Sequence, residues 1–583
     1  MITVILAEKS VQAAEYAAAL GPFTSKGRVK IVSKSDLLAG EIRIVAPEGH
    51  LFEYASPEGN YKAENLPLVD VSFKQYLKKD KESQERFKII YQEVTAADQV
   101  IIGTDPDREG ERIAYSILSH IPGGKEKIVK RLWANSMTIK GIQRAFKNLK
   151  ESSETYDYYL EAEARAQSDW LVGMNLSPVV TLELQKQGLI GQGKDNAFSV
   201  GRVQTPTVRL ICENDVAIRN FTPKSYWRLQ LEDLENNLIF INPEKFLDSE
   251  EALAVARQLN DTARIIEVKK EENKRPAPSL FNLSDLQKHA ASQWQFSPDK
   301  TEELLENLHL KKYLSYPRTE AKHITSFEFD YLKKNFSKYQ EVLNCHFEVA
   351  HQDPREHYVN EAKIAENSHY ALIPTENIPN LDSLSAEERL IYEAVTKQTL
   401  LMFSADCVYD STTVTVENKG VKFLAKGRQL RKLGWVEYST KKVRRDVLLP
   451  NYQVDQILPS KIALQEGQTK PPKRITESQL IGDILPNLGL GTPATRGKII
   501  KNIQEKRYVK KDHKTGQMIP TNRAYLLVNN LYENEFSDPD TTGGWEIFLT
   551  EIGKGNINPR EFVDAIKEKL QAQIQKEKEE GRL

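Results

Sequence analysis

Apolar runs and polar breaks divide the chain into blocks of different period. Over residues 1 to about 150, short apolar runs at Thr3–Ala7, Ile42–Ala46 and Gln99–Gly103 alternate with stretches of helical spacing, and the last run leads into a helix through Arg112–Leu118. Short apolar runs bounded by turn residues read as buried strands, so this block predicts a small α/β domain. Residues 151–176 predict one long helix ending near Asn175. Its Leu160, Ala164, Asp169 and Leu171 make no single stripe, so it is expected to be packed on more than one side. A strand-like pattern then runs from Tyr226 to Val268, in Trp227-Arg-Leu-Gln-Leu and Leu238-Ile-Phe-Ile. It resumes over residues 408–456, at Val408, Thr412-Thr-Val-Thr-Val, Lys422-Phe-Leu, Trp435-Val-Glu-Tyr and Tyr452-Gln-Val. A helical block, about 283–400, lies between, which predicts a β domain in two segments carrying an inserted helical domain. The final stretch, 559–583, predicts a mixed-charge, solvated helix.

Composition narrows this picture. The chain has 583 residues, 40% hydrophobic and 28% charged, which suits about four domains with buried cores. No apolar run approaches the ~20 residues of a membrane span, and no membrane association is expected. Met1–Ala7 turns polar at Glu8-Lys9-Ser10 without a preceding basic segment or cleavage site, so it reads as a first strand and not as a signal peptide. Cys212, Cys345 and Cys407 are scattered, which excludes a disulfide framework or a cysteine zinc site and fits a reducing cytoplasm. A net charge of −1 neither supports nor excludes nucleic-acid binding, because phosphate contacts need only a local basic groove.

The densest chemistry follows the strand Gln99–Gly103, in Thr104-Asp105-Pro106-Asp107-Arg108-Glu109-Gly110-Glu111. Asp105 and Asp107, two apart, share a face on extended backbone. Hard oxygen donors at this density suit Mg²⁺, which takes one or two carboxylates plus water and substrate phosphate. A helix cap with Asp105 at the N-cap and Pro106 at the first position would explain the geometry but not four acids in seven residues, and a solvated acidic loop is a further reading. An EF-hand would not: its twelfth position is Ser116, and a strand precedes it. Glu8 adds a carboxylate at the carboxyl end of the first strand, where open α/β sheets place their sites. A Glu after the first strand and Asp-x-Asp-x-Glu after a later one resemble the Toprim domain of topoisomerases, primases and some nucleases.

A second centre is Leu314-Ser315-Tyr316-Pro317-Arg318-Thr319. Pro317 biases Tyr316 to an extended backbone that can project the phenol outward. A phenol of pKa ~10 needs nearby cations to act as a nucleophile. Arg318, on the same side, could supply that charge or clamp a phosphate. By itself the triplet is an ordinary surface turn. Its context is not: it resembles the nucleophile motif of type IA DNA topoisomerases, and further segments match that family in order. These are Glu161–Asn175, Ser199-Val-Gly-Arg-Val-Gln-Thr-Pro-Thr207, Ser368-His369-Tyr370-Ala371-Leu-Ile-Pro374-Thr375, Pro471–Glu477, Gly489–Arg496 and Thr542-Gly-Gly-Trp545-Glu546.

The resemblance implies a multidomain α/β plus α+β protein. A Toprim domain (1–150), a helical strand-binding domain (151–215 with 465–583), a β-rich arch (216–275 with 400–464) and an inserted helical domain carrying the nucleophile (276–399) would form a toroid with a central hole. It implies ATP-independent cleavage of one DNA strand through a 5′-phosphotyrosine, strand passage and religation, relaxing negative supercoils and with decatenation as a further activity. It assigns catalysis to Tyr316, Glu8, Lys9, Arg318 and His369, and Mg²⁺ to Glu8, Asp105, Asp107 and Glu109. DNA would be bound by Arg165, Asp169, Arg202, Gln204, Ser199, Thr495 and Arg496. Arg165 and Asp169, four apart on one helix, also read as an ordinary ion pair. DNA, single-stranded or negatively supercoiled, is the expected partner of a monomer, with a helicase or single-strand-binding protein as a further one. The missing cysteine-rich tail, with Leu132-Trp133 and Gly173–Leu176, looks more like bacterial topoisomerase III. Tyr370, Glu320 and Asn135 depart from the family's usual residues. Gly188-x₄-Gly193-Lys194 imitates a P-loop, but Asp195 stands where Ser or Thr would hold Mg²⁺, which argues against ATP use. A Toprim nuclease or primase-like enzyme is the alternative.

Overall fold

The computed structural model describes every residue except 58–60, 368, 440–444 and 532. The chain opens with β1 (Ile2–Ala7), α1 (Ser10–Leu20), β2 (Phe23–Lys26), β3 (Val29–Val32) and β4 (Glu41–Val45). After a ribbon of β5 (Phe52–Tyr54) and β6 (Gln75–Leu77) come α2 (Lys81–Ala96), β7 (Gln99–Gly103), α3 (Arg108–Leu118), β8 (Ile128–Arg131), α4 (Ile139–Lys147) and β9 (Lys150–Glu151). The main sheet has the order β2-β3-β4-β1-β7-β8-β9, with β1 parallel to β4 and β7, and β7 parallel to β8. Val4 and Leu6 of β1 point into one core with Val100 and Ile102, while Ile5 and Ala7 point into the other with Tyr16 and Ile142. A strand covered on both faces must be apolar throughout, which is why Thr3–Ala7 shows no alternation. The chain leaves β1 towards β4 and returns on the other side at β7. That reversal opens a crevice beyond the carboxyl ends of β1 and β7.

Two helices follow, α5 (Tyr156–Lys186) and α6 (Gln204–Arg219). They share one core with the last hundred residues: Leu171, Leu176, Val208 and Ile211 pack with Leu480, Trp545, Phe562 and Ile566. The long helix does not end near Asn175 as expected but runs through Pro178 to Lys186. Burial of Val179, Val180 and Leu184 outweighs the one backbone bond that proline removes. Asn175 is a clasp and not a cap: it exchanges hydrogen bonds with the Leu68 backbone at 2.6 and 3.2 Å. The closing helix Pro559–Glu579 is likewise not simply solvated. Phe562, Val563, Ile566, Leu570 and Ile574 form a buried face, most of it in the same core as α5.

Next come β10 (Ser225–Asp233), β11 (Leu238–Ile241), α7 (Ser249–Arg257) and β12 (Thr262–Arg275), then a helical insertion beginning with α8 (Leu283–Trp294) and α9 (Pro298–Leu310). After it, β13 (Cys407–Asn418), β14 (Val421–Lys432) and β15 (Ile457–Gln468) close a barrel of order β10-β11-β14-β13-β12-β15. Trp435–Tyr438, expected as strand, lies in a 3₁₀ turn that begins at Gly434 with φ 55°. The Trp435 ring is buried there, and its indole N–H donates to the Arg275 carbonyl at 3.0 Å. Tyr452 lies on a loop, its hydroxyl donating to Asp233 at 2.6 Å. The strand completing that side is β15. No helix among the described residues is long and apolar enough to cross a membrane.

Candidate active site at a domain interface

The register of β1 on β7 pairs Ala7 with Gly103, so Glu8 and the acidic loop emerge side by side. The Asp105 N–H donates to Glu8 Oε2 at 3.2 Å. Gln12 links the two residues, accepting from the Glu8 N–H at 2.7 Å and donating to Asp105 Oδ1 at 3.1 Å. The cap of α3 is Asp107 and not Asp105; it accepts from the Gly110 N–H at 2.7 Å. Position 110 must be glycine because a Cβ would collide with the Asp105 carbonyl. Arg131, wholly buried at the end of β8, staples the loop from below. It donates to the Thr104 and Asp105 carbonyls at 2.8 and 2.6 Å and pairs with buried Glu111. Glu111 therefore holds the loop's shape and does not face the crevice.

Tyr316 reaches this loop from the inserted domain. Ser315 fixes the approach, its N–H donating to the Ile373 carbonyl at 3.0 Å and its Oγ to the Ala371 carbonyl at 3.1 Å. The phenol does not project outward: Tyr316 is 3% exposed, and its hydroxyl donates to Asp107 Oδ2 at 2.8 Å. Its ring lies against His369 at 4.8 Å and edge-on to His309 at 5.7 Å between centroids. The Tyr316 N–H donates to the Asn135 carbonyl at 3.2 Å. Arg318 donates through Nε to Glu302 at 3.0 Å and lies 3.6 Å from Asp105 Oδ2, while Lys9 pairs with Glu306. His369 Nδ1 is 2.8 Å from Asn135 Oδ1. Ser368 of the histidine motif lies outside the described residues.

Burial, with the charges of Asp105 and Asp107, lifts the Glu8 carboxyl to about 8, against the opposing pull of Arg318 and Lys9. Glu8 is thus an acid that keeps its proton at neutral pH. Burial and the same two aspartates push the Tyr316 phenol well above its usual value, although Arg318 works the other way. Burial depresses His369 to about 4, so its ring is neutral. Glu109 is opposite in character. Burial disfavours its charge, but the hydrogen bond from His50 and the charges of Arg165, His50 and Arg112 hold it below the carboxylate range.

Among the described residues, no three His, Cys, Asp or Glu side chains are placed to share a metal ion. Asp105 and Asp107 still suit one: their oxygens are hard, they flank a crevice where a phosphate would lie, and Mg²⁺ needs no more than one or two carboxylates. Glu109 is turned away onto His50 and lies 3.6 Å from Arg165.

From Glu109 a chain of ion pairs runs along α5. Arg165 is 3.8 Å from Asp169; Asp169 accepts from Arg202 at 2.8 Å; Arg202 donates to Glu546 at 2.6 Å; and Glu546 lies 3.6 Å from Arg108, which pairs with Glu161. Arg108, Arg165 and Arg202 each keep one buried nitrogen without a hydrogen-bond partner. Gln204 bonds the Ser199 carbonyl at 2.8 Å and accepts from Asn502 at 3.1 Å. Arg496, expected beside the strand groove, is engaged with the protein itself. It is 4% exposed and donates to the Leu490 and Gly491 carbonyls at 3.0 and 2.9 Å and to Glu320 at 3.1 Å, so it ties two domains together. Thr495 is occupied in the capping box of the helix Pro493–Glu505.

Comparison with known proteins agrees with this geometry. A DNA topoisomerase family model matches residues 153–564, and a Toprim domain model matches residues 3–137. The chain belongs to the type IA DNA topoisomerases. It is 30% identical to DNA topoisomerase 1 of Alkalihalophilus pseudofirmus, over 96% of this chain and 82% of that protein. It is 29% identical to DNA topoisomerase 3 of Bacillus subtilis, over 89% of this chain and 75% of the other. The full-length topoisomerase I of Thermotoga maritima shares the fold, with a TM-score of 0.70 at 21% identity over 98% of this chain and 90% of that one.

Several residues of this topoisomerase's site escaped sequence reasoning. Gln12, Arg131, His50, Glu302 and Glu306 belong to no segment that marked the family. Glu302, Glu306 and His309 do lie on one face of α9 at helical spacing, and two acids with a histidine on the helix before the tyrosine was a readable signal. Arg131 gave no signal, since a buried cation inside a strand is defined only by the carbonyls around it.

Proposed function

We propose that this topoisomerase cuts one DNA strand by attack of Tyr316 on a backbone phosphorus. The observation that carries the reading is the Tyr316 hydroxyl on Asp107, a nucleophile of one domain seated on the acidic loop of another. The phenol proton passes to Asp107, which already accepts its hydrogen bond. The phenolic oxygen bonds to phosphorus as the P–O3′ bond breaks. Glu8 gives its proton to the departing 3′-oxygen, beside Lys9. Arg318, released from Glu302, stabilises the charge on the phosphoryl oxygens. His369 stands beside that phosphate. The 5′-phosphotyrosine conserves the phosphodiester, so religation reverses the same steps without ATP. Asp105 and Asp107, with Glu109 once it leaves His50, would hold Mg²⁺, whose charge would offset that of the phosphate during religation.

The interface carrying Tyr316 is the proposed gate. Its parting, with the barrel as hinge of an arch, would open a toroid for strand passage. Arg165, Asp169, Arg202, Gln204, Ser199 and Thr495 would border the bound strand, with Arg496 bracing it from beneath. The Arg202 nitrogen that makes no hydrogen bond, together with the loosely held Arg108 and Arg165, supports an anionic occupant there. The domains proposed are those drawn from the sequence, with the limit at 215/216 moved past the end of α6 at Arg219 and the arch extended to the end of β15 at Gln468. A cytoplasmic monomer of the topoisomerase III type, working beside a helicase or single-strand-binding protein, fits relatives that bear both numbers.

The test incubates the protein with end-labelled single-stranded DNA and reads a denaturing gel. A covalent adduct at the 5′ side of the break, with plasmid relaxation needing Mg²⁺ and indifferent to ATP, is expected. Free ends without an adduct would make the protein a nuclease.

A further inference from the structure

Asn135, on the loop between β8 and α4, touches three residues of the facing domain. Its side-chain oxygen lies 2.8 Å from His369 Nδ1; its carbonyl accepts from the Tyr316 N–H at 3.2 Å and, more weakly, from the Tyr370 hydroxyl at 3.5 Å. The neighbouring residues complete a socket. The Trp133 ring is near-parallel to His369, 6.1 Å between centroids, and rests on Arg131, whose guanidinium also staples the acidic loop. Thr138 donates to Glu376 at 3.4 Å.

We propose that Asn135 is a positioning residue of the cleavage reaction: its amide oxygen holds His369 in the Nδ1–H form, and its carbonyl seats the Tyr316 backbone. A buried, neutral imidazole carries a single ring proton, and the partner of one nitrogen decides what the other can do. With Asn135 Oδ1 accepting at Nδ1, the lone pair is left on Nε2, and the ring is fixed against the Tyr316 ring. The same residue sets the height of the tyrosine backbone, so imidazole and phenol are placed from one point when the gate closes. A shorter residue would keep the carbonyl contact and lose the imidazole.

This inference rests on the reading that His369 stands beside the reacting phosphate. The test uses the full chain with ¹⁵N-labelled histidine, in wild type, Asn135→Leu, Asn135→Asp and His369→Ala. Nitrogen shifts report the His369 tautomer, and single-turnover cleavage of a labelled single strand at saturating concentration reports the rate. The wild type is expected to show Nδ1–H. Asn135→Leu is expected to shift towards Nε2–H and to cleave about 10–100-fold more slowly, with single-strand affinity within about two-fold. Asn135→Asp keeps an acceptor and is expected to recover both tautomer and rate to within a few-fold. An Nε2–H tautomer in the wild type, an unimpaired Asn135→Leu, or an Asn135→Asp as slow as Asn135→Leu would overturn the inference. So would loss of affinity in step with rate, which marks a structural role only. If His369→Ala cleaves at the wild-type rate, the reading of His369 itself fails; if it is slow while Asn135→Leu is normal, only the role of Asn135 is removed.

Discussion

Asp107 and Glu109 are two residues apart, yet they belong to regions of opposite electrostatic design. Asp107 faces a pocket where acids outnumber the cations that reach them. There Glu8 is raised to about 8, and the Tyr316 phenol stays firmly protonated. Glu109 faces the arginine-rich chain of α5, whose far carboxylate, Glu546, is held down at about 2 by Arg202, Arg108 and Arg165 despite its burial. The first region is arranged to hold and move protons, and it is inert until something draws the phenol's proton away. The second keeps Glu109 and Glu546 ionised and leaves one Arg202 nitrogen without a hydrogen bond, which suits holding an anion. The α3 N-terminus divides the two, because Asp107 caps it and Glu109, in its first turn, is on the side facing α5.

The comparison breaks most readily at the tyrosine. Tyr316→Phe removes one oxygen and leaves the ring between His369 and His309, so folding should be intact. Adduct formation and relaxation should fall by at least ~10⁴-fold, while single-strand affinity changes little, since groove cations and stacking supply it. Relaxation surviving in this variant would show that the proton-moving region has been misplaced.

The metal draws the next line. Chelation with EDTA, or Asp105→Asn, should lower plasmid relaxation by about 100-fold while adduct on single strands still forms, because the proton donors and acceptors of cleavage are protein groups. Equal loss of adduct and relaxation would make the metal part of cleavage itself.

The arginine chain should answer in stability before chemistry. Removing one partner of a buried pair costs about 3–5 kcal/mol. Glu546→Ala, which leaves Arg202 to Asp169 alone and Arg108 to Glu161 alone, should therefore lower the denaturation midpoint clearly, with cleavage at saturating DNA within a few-fold. The acid limb should change as well. The Glu546 pKa is depressed from 4.5 to about 2 in the fold, so its contribution is complete above pH ~4.5 and is lost as pH falls towards 2. Glu546→Gln should flatten the stability loss over that window; an unchanged slope would mean the pairs add nothing.

The smallest effect belongs to the rim of the gate. Arg144, 52% exposed, lies 3.7 Å from Glu328 and over the Phe327 ring. Glu328 is buried, but with the guanidinium half in solvent the pair is screened and contributes about 0–1 kcal/mol. Arg144→Ala should alter relaxation rates by less than about three-fold, the difference vanishing at high salt; a ten-fold change would place gate opening under surface control.

Much of the molecule was present in the linear order of residues. The doubly covered strands β1 and β7 announced themselves as unbroken apolar runs, and the turn chemistry after each put Glu8, Asp105 and Asp107 at neighbouring strand ends. The two β segments around a helical insertion were legible from their change of period, as was Tyr316 from its ordered companions. Pattern failed where packing overrode local preference. Pro178 is carried inside α5 by the core around it. Trp435 gives up an extended backbone to bury its ring. The helix Pro559–Glu579 hides an apolar face among its charges.

The character of the site was decided only by the tertiary structure. Spacing along a chain can bring carboxylates to one loop, but charge state depends on burial and on what approaches from elsewhere, and those distances exist only after folding. Glu8 and Glu109 are alike as letters, and both are expected ligands. One lies with two aspartates and keeps its proton, while the other meets His50 and Arg165 and loses it. Tyr316 finds the acceptor of its hydroxyl far outside its own segment, at Asp107, 209 residues earlier. Asn135, a departure of no evident meaning in the sequence, acquires its place because the domain it faces brings His369 and Tyr316 to the same point.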